Sequence, residues 1–124
     1  MTKVSVRYIV VDVDAAIAFY TKMLGFQLDM HPAPGFARVS LGDLQLLLNR
    51  PGAGGAGQAM AGGQLPAPGG WNRVQIEVGD IAATVEKLKG AGGCFRNEIV
   101  TGNGGKQVLL EDPSGNPIEL FQPG

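Results

Sequence analysis

The sequence predicts an α+β fold in which two β-α-β-β-β repeats form a curved, partly open mixed sheet around a cleft. Each half has a β-rich run that ends in an aspartate, then a helical pattern, then three short apolar runs. A Gly- and Pro-rich stretch separates the halves. Because 124 residues suit one domain, we predict a single domain, 1–124, with a first repeat (1–49), a linker or flap (50–70) and a second repeat (71–124).

The first repeat opens with VSVRYIVVDVD, a β-branched run that leads into Asp12. An aspartate directly before a helical pattern is a typical N-cap residue. Ile17, Tyr20 and Leu24 then recur at helical spacing, and Gly25 marks the helix end. The strand candidates FQLDM, FARVSL and LQLLLN follow, and the breaks HPAPG and GD between them have ordinary turn composition.

The second repeat follows the same plan. Its opening run, WNRVQIEVGDI, passes through Asp80, and Ile81, Val85 and Leu88 recur at helical spacing until a glycine-rich end. The strand candidates are CFRNEIV, KQVLLE and PIELFQ, separated by TGNGG and DPSGN. The two halves together predict eight strands and two helices.

The stretch RPGAGGAGQAMAGGQLPAPGG (50–70) has almost no charge and little to bury. Such composition is typical of a flexible linker, because ordering it costs chain entropy. Long irregular loops in compact domains are also often functional. A mobile flap over a ligand site, with Met60 and Leu65 as its apolar contacts, is therefore the alternative.

Composition excludes several classes of function. The net charge is −1 and no Lys/Arg run is present, so we expect no nucleic-acid partner. No apolar stretch suits a membrane span or a signal peptide, which predicts a soluble cytoplasmic protein with no membrane partner. The single Cys94 cannot form an internal disulfide or a Cys-type zinc site, and we expect its thiol to be buried.

The segments DVDAAIAFYTKMLGF and LEDPSGNPIELFQP resemble the opening and closing motifs of the vicinal oxygen chelate superfamily. This superfamily includes glyoxalases, extradiol dioxygenases and bleomycin-resistance proteins, and the resemblance covers nearly the whole chain. It implies the fold above, a small-molecule ligand and a homodimer. It does not choose between enzyme and binding protein, because the fold hosts both.

The resemblance also implies four positions for metal ligands, on the first and last strands of each repeat. Counting seven residues back from each capping aspartate gives Ser5 and Arg73. The acid of PIEL is Glu119, and matching GDLQLLL to GNPIELF places Leu46 at the corresponding position. Only Glu119 is an ordinary ligand, and a guanidinium repels a metal ion. We therefore expect no metal and no cofactor.

Strand alternation predicts which side chains share the cleft face. Arg7 shares it with Ser5, Gln75 with Arg73, and Phe121 with Glu119, while the alternate positions are apolar and should face the helices. An ion pair between Arg73 and Glu119 should lower the pKa of Glu119. The predicted ligand-binding residues are Arg7, Arg73, Gln75, Glu119, Phe121, Ser5, Leu46, Leu48, Arg38 and Trp71.

This residue set predicts a metal-independent small-molecule binding protein. An arginine without an acidic partner favours a neutral or anionic, aromatic ligand. The alternative is a lyase or isomerase of the same superfamily, with Glu119 as a metal-free general base or, ranked below that, with a divalent metal. The sequence leaves open whether any reaction is catalysed.

Overall fold

The computed structural model describes residues 2–124 and divides them into two repeats. The elements of the first repeat are β1 (Ser5–Ile9), α1 (Val13–Ala18), β2 (Gln27–Ala33), β3 (Phe36–Leu41) and β4 (Leu44–Asn49). Those of the second repeat are β5 (Val74–Glu77), α2 (Ile81–Gly90), β6 (Cys94–Phe95), β7 (Val100–Thr101), β8 (Gly105–Glu111) and β9 (Pro117–Pro123). α1 continues into a π-helical turn, Phe19–Met23. Among the described residues, neither helix has the length and apolarity that a membrane crossing requires.

Each repeat builds its own sheet. The first sheet has the order β1-β4-β3-β2, and the second has the order β5-β9-β8-β6, with β7 also paired to β8. In both sheets the opening strand runs parallel to the closing strand (β1 with β4, β5 with β9), and the other pairs are antiparallel. The α+β class and the two β-α-β-β-β repeats that the sequence predicts are therefore confirmed.

Both helices begin where the aspartates predict. The side chain of Asp12 accepts a hydrogen bond of 3.0 Å from the backbone N–H of Ala15. Asp80 accepts one of the same length from Ala83. Each carboxylate thus satisfies an N–H group that the first helical turn leaves without a partner.

The predicted strand CFRNEIV is interrupted, and its ends form β6 and β7. Two side chains within the interruption bond to β8. The guanidinium of Arg96 bonds to Glu111 at 2.7 Å, and the amide oxygen of Asn97 accepts a hydrogen bond from the backbone N–H of Leu109. The second sheet therefore has five strands where four were predicted.

One hydrophobic core is shared by the two repeats. Strand alternation correctly predicts that Tyr8 and Val10 of the first repeat and Ile118 and Leu120 of the second lie in it. The turn between β8 and β9 joins the repeats by polar contacts. There the side-chain amide of Asn116 donates to the backbone oxygen of Ile9 at 2.8 Å.

Candidate ligand-binding site

Glu119 stands in the middle of β9 and is 8% exposed. Its Oε1 accepts hydrogen bonds from Arg73 Nε at 3.0 Å and Nη2 at 2.8 Å. Its Oε2 accepts one from Gln75 Nε2 at 2.6 Å. Gln75 of β5 lies directly opposite Glu119 in the parallel register, and Arg73, the residue directly before β5, lies two residues earlier and reaches the same carboxylate.

These contacts decide the protonation state of Glu119. Burial alone raises the pKa of a carboxyl group, because it penalises the charged form. The hydrogen bonds from Gln75 and Arg73, together with the Arg73 charge, outweigh burial and hold the pKa of Glu119 below its ordinary value. Glu119 is therefore an ionised carboxylate, and the expected ion pair with Arg73 is present.

The strand register corrects the counterpart of Glu119 in the first repeat. Arg7 and Gln75 are equivalent, since each lies five residues before its helix cap (7 to 12, 75 to 80). Arg7 pairs with Leu47, whereas Gln75 pairs with Glu119. The residue that corresponds to Glu119 is therefore Leu47, and the assignment of Leu46 is wrong by one residue.

Leu46 and Leu48 do not lie on the predicted cleft face. Both are completely buried in the core that the helices cover. A shift of one residue moves a strand side chain to the opposite face of the sheet. Both leucines are therefore packing residues in this structure, and Leu47, between them, occupies the face that had been predicted for them.

The four corresponding positions do not suit a metal ion. Ser5 has a hydroxyl that donates to Gln45 at 3.2 Å, Leu47 has no donor atom, and Arg73 is a cation already bound to Glu119. Among residues 2–124, no three His, Cys, Asp or Glu side chains are grouped closely enough to hold a metal ion. The described part of the chain thus has no ligand set of the kind that the family resemblance implies.

The polar face of the first sheet carries two arginines. Arg7 Nη1 donates to the side-chain oxygen of Asn49 at 2.6 Å, and no carboxylate within residues 2–124 forms an ion pair with it. Arg38 lies opposite Leu47. Its Nε is 3.7 Å from Asp29 Oδ2, which is too far for a hydrogen bond. Within residues 2–124 this buried nitrogen has no hydrogen-bond partner.

A pocket of about 390 Å³ lies at the seam between β1 and β5, and we call it the seam pocket. Arg7 and Arg73 both line it, together with Asn72 and Asn116. Two guanidinium groups and two amides converge there, and Glu119 offsets only the charge of Arg73. The seam pocket therefore has an excess of positive charge.

The end of the 50–70 stretch reaches the seam pocket. Ala67 and Gly69 line it, and the backbone N–H of Gly69 donates to Asn116 Oδ1 at 2.7 Å. Met60 and Leu65, the expected apolar contacts of a flap, are 55% and 50% exposed. The stretch is thus fastened beside the pocket at one end, and its role as linker or flap stays a prediction.

The two predicted aromatic residues lie apart from the seam pocket lining. Trp71 is 71% exposed, and the guanidinium carbon of Arg96 lies 5.0 Å from its ring centroid. Phe121 is half-buried on β9, opposite Gln107.

Two residues of this face, Leu47 and the buried Asn49, were not predicted from the sequence. Strand alternation around Leu47 would have found both, had the register of β4 been known.

The exposure of Cys94 corrects a further expectation. Its thiol is free and exposed at the start of β6, not buried. The glycines that end α2 leave this segment at the surface, where it pairs with Glu111 at the end of β8.

Comparisons with known proteins agree with this architecture. The sequence model of the Glyoxalase/Bleomycin resistance protein/Dioxygenase superfamily matches residues 4–120. A protein of Arabidopsis thaliana named "Probable lactoylglutathione lyase, chloroplastic" is 33% identical over 129 aligned positions. The alignment covers 96% of this chain, but the chain spans only 35% of that relative.

Two solved structures share the fold over nearly their whole length. A superfamily member from Sphaerobacter thermophilus DSM 20745 is 25% identical, with a TM-score of 0.77 and coverage of 98% of this chain and 97% of that one. TnmS3, an antibiotic binding protein from Streptomyces sp. CB03234, is 23% identical, with a TM-score of 0.75 and coverage of 100% and 97%. The family match over residues 4–120, the paired repeats and the strand order together show that the chain belongs to the Glyoxalase/Bleomycin resistance protein/Dioxygenase superfamily.

Proposed function

We propose that this chain is a metal-independent small-molecule binding protein for a neutral or anionic, aromatic ligand. The observation that carries the proposal is that the two arginines of the seam pocket differ in their partners. Arg73 forms an ion pair with Glu119, whereas Arg7 lines the same pocket and, within residues 2–124, has the neutral Asn49 as its side-chain partner. A carboxylate or phenolate on a ligand would supply the missing counter-charge.

The remaining polar groups would orient the ligand. Asn72 and Asn116 line the seam pocket and can donate or accept hydrogen bonds. We assign Phe121, Ser5 and Arg38 to the surrounding polar faces, where they would contact larger ligands. The fold shared with an antibiotic binding protein is consistent with this proposal.

Titration with 2-naphthoate and its neutral analogue 2-naphthamide tests the proposal. Because Arg7 would form a charge-assisted hydrogen bond with the acid, Arg7→Gln should weaken naphthoate binding about tenfold or more. The same variant should change naphthamide binding little. Lys106→Gln, which removes an exposed cation on β8, is the matched control and should leave both affinities unchanged. Equal losses for Arg7→Gln and Lys106→Gln would disprove the role of Arg7.

The second candidate function is a lyase, and the relative named as a probable lactoylglutathione lyase favours it. Against it, Glu119 is held by three hydrogen bonds and its pKa is lowered. A carboxylate with a lowered pKa is a weak general base. Splitting of lactoylglutathione into glutathione and methylglyoxal, without formation of lactate and lost in Glu119→Gln, would favour the lyase over the binding protein.

We also propose a homodimer, which acts in the cytoplasm. β1 and β5 face each other across the seam pocket within one chain, so the support for a dimer is the exposed apolar surface just before these strands. Val4 and Trp71, just before these strands, are 75% and 71% exposed. Sedimentation velocity should therefore give a dimer that Val4→Asp weakens and Val100→Asp, on β7, does not. A wild-type monomer at all concentrations would exclude this assembly.

A further inference from the structure

A second pocket, of about 780 Å³, lies where three chain segments end. These are the π-helical turn after α1, the end of α2, and the turn between β8 and β9. We call it the helix-end pocket. It shares no lining residue with the seam pocket, and its volume lies in the range of small-molecule sites. A ligand here would not contact Arg7 or Arg73.

The walls of the helix-end pocket are mostly apolar. Ala18, Phe19 and Met23 line it from the first repeat, and Ala91 and Pro113 line it from the second. Small side chains and a flexible thioether dominate, with one aromatic ring. Such walls suit a flexible apolar chain better than a flat polar molecule, because a methionine side chain adapts to irregular shapes.

The π-helical turn shapes the first wall. Phe19 and Tyr20 are neighbours in sequence, and both side chains are buried, with exposed fractions of 7% and 0%. Tyr20 points to the other repeat, where its hydroxyl donates to Asp112 at 2.8 Å, while Phe19 lines the pocket. π-helical turns are rare and are frequent at functional sites. Its position at this pocket is a second observation in favour of a ligand.

Among the described residues, one exposed cation at the pocket has no ion-pair partner. Lys22 lines the pocket, is exposed, and forms no ion pair within residues 2–124. Glu111 is held by Arg96 at 2.7 Å. Asp112 also has no ion pair within residues 2–124, but it is only 4% exposed, and its carboxylate accepts hydrogen bonds from the Tyr20 hydroxyl, two backbone N–H groups and one side-chain amide. An acidic group at the exposed edge of the pocket would therefore meet the Lys22 ammonium first.

We propose that the helix-end pocket is a second ligand site, which binds an apolar chain that carries one acidic group, such as a medium-chain carboxylate. The chain would lie against Ala18, Phe19 and Met23, and the carboxylate would bind Lys22. This site is independent of the proposed function, because the two pockets are lined by different residues.

Cys94 provides a direct measurement of occupancy, since its thiol is exposed and lines this pocket. Its alkylation by iodoacetamide would be followed by mass spectrometry in the presence of monomeric dodecanoate. Dodecanol, which has a chain of the same length without the charge, is the control. Dodecanoate at ten times its dissociation constant should slow alkylation about tenfold, in proportion to the unoccupied fraction. Dodecanol should protect less at the same concentration, and 2-naphthoate bound at Arg7 should not protect.

Matched variants separate the pocket from general effects. Ala91→Phe should fill the pocket and abolish protection, whereas Ala82→Phe, on an exposed position of α2, should retain it. Lys22→Gln should weaken dodecanoate about two- to fivefold, and Lys87→Gln should not. Absence of protection, or protection that persists in Ala91→Phe, would overturn the proposal. Failure of Cys94 to react without ligand would do so too, since another copy of the chain would then cover the pocket.

Discussion

Arg73 donates two hydrogen bonds to one oxygen of Glu119, and the two side chains form the best-connected ion pair on the polar face of the second sheet. Gln75 binds the other oxygen. Three of about four acceptor positions of the carboxylate are thus filled. These contacts leave the Glu119 carboxylate little capacity for a further donor, and they hold the Arg73 guanidinium in a fixed orientation beside the seam pocket.

Glu119→Gln should lower the free energy of unfolding at neutral pH by about 1–3 kcal/mol, because it removes the charge that Arg73 and Gln75 bind. The pKa of Glu119 is lowered in the folded protein. Its contribution is therefore complete above the unfolded-state pKa of about 4.3 and is lost as pH falls through the folded-state value. Urea unfolding at pH 7 and pH 3 should show a larger difference between wild type and Glu119→Gln at pH 7 than at pH 3.

The matched control for this titration is Glu86→Gln, because Glu86 is an exposed acid on α2 and forms no ion pair within residues 2–124. It should change stability little at either pH. A difference between wild type and Glu119→Gln that stays constant from pH 7 to pH 3 would contradict the electrostatic origin of the effect.

Leu46→Ala and Leu47→Ala should differ sharply in stability although they are neighbours. Leu46 is fully buried, so its truncation should cost about 2–5 kcal/mol. Leu47 is half-buried on the polar face and should cost about 1 kcal/mol. Thermal or urea unfolding of both variants measures the difference. Equal costs would mean that β4 has a different register from the one described.

The register of β4 also shows where prediction from sequence stops. The helix caps Asp12 and Asp80 were predicted correctly because an N-cap depends on a few neighbouring residues. Which residue of β4 lies opposite Arg7 of β1, in contrast, depends on the length of the turn between β3 and β4. Leu47 lies five residues after Gly42, whereas Glu119 lies four after Gly115, so alignment on the glycines selects Leu46. Only the strand pairing reveals the extra residue.

Some polar contacts of the site could be predicted from the sequence, and others could not. Arg73 and Gln75 reach Glu119 within one predicted strand pair, so alternation brings them together. Asn116, in contrast, bonds across the two repeats to the backbone oxygen of Ile9, and the contact of Asn49 with Arg7 follows only from the observed register of β4. Which group Asn116 meets depends on how the repeats pack, and no local pattern records that.

Tyr20→Phe should destabilise the protein by about 1–3 kcal/mol, since it deletes the hydrogen bond to the buried Asp112. A double-mutant cycle with Asp112→Asn should show coupling between the two positions.

The stability of the wild type at alkaline pH is a second test of this contact. Burial and Asp112 raise the pKa of Tyr20 far above 10.0, so above about pH 10 the unfolded chain ionises and the native one does not. Wild-type stability should then fall with pH more steeply than that of Tyr20→Phe.

Asn116→Ala should loosen the end of the 50–70 stretch. The variant removes the acceptor for the Gly69 N–H and the donor to the backbone oxygen of Ile9. Hydrogen exchange should therefore become faster at Gly69 and its neighbours, and limited proteolysis should cleave the stretch sooner. Asn103→Ala, in the exposed turn before β8, is the control and should leave both rates unchanged.

The same measurement distinguishes flap from linker. A flap that closes over the seam pocket should exchange more slowly at Ala67 and Gly69 when 2-naphthoate is bound, because closure protects the backbone from solvent. In Asn116→Ala this protection should weaken, since the anchor beside the pocket is gone. A passive linker would give the same exchange rates with and without 2-naphthoate. That result, with normal naphthoate affinity, would reject the flap and leave the role of Arg7 intact.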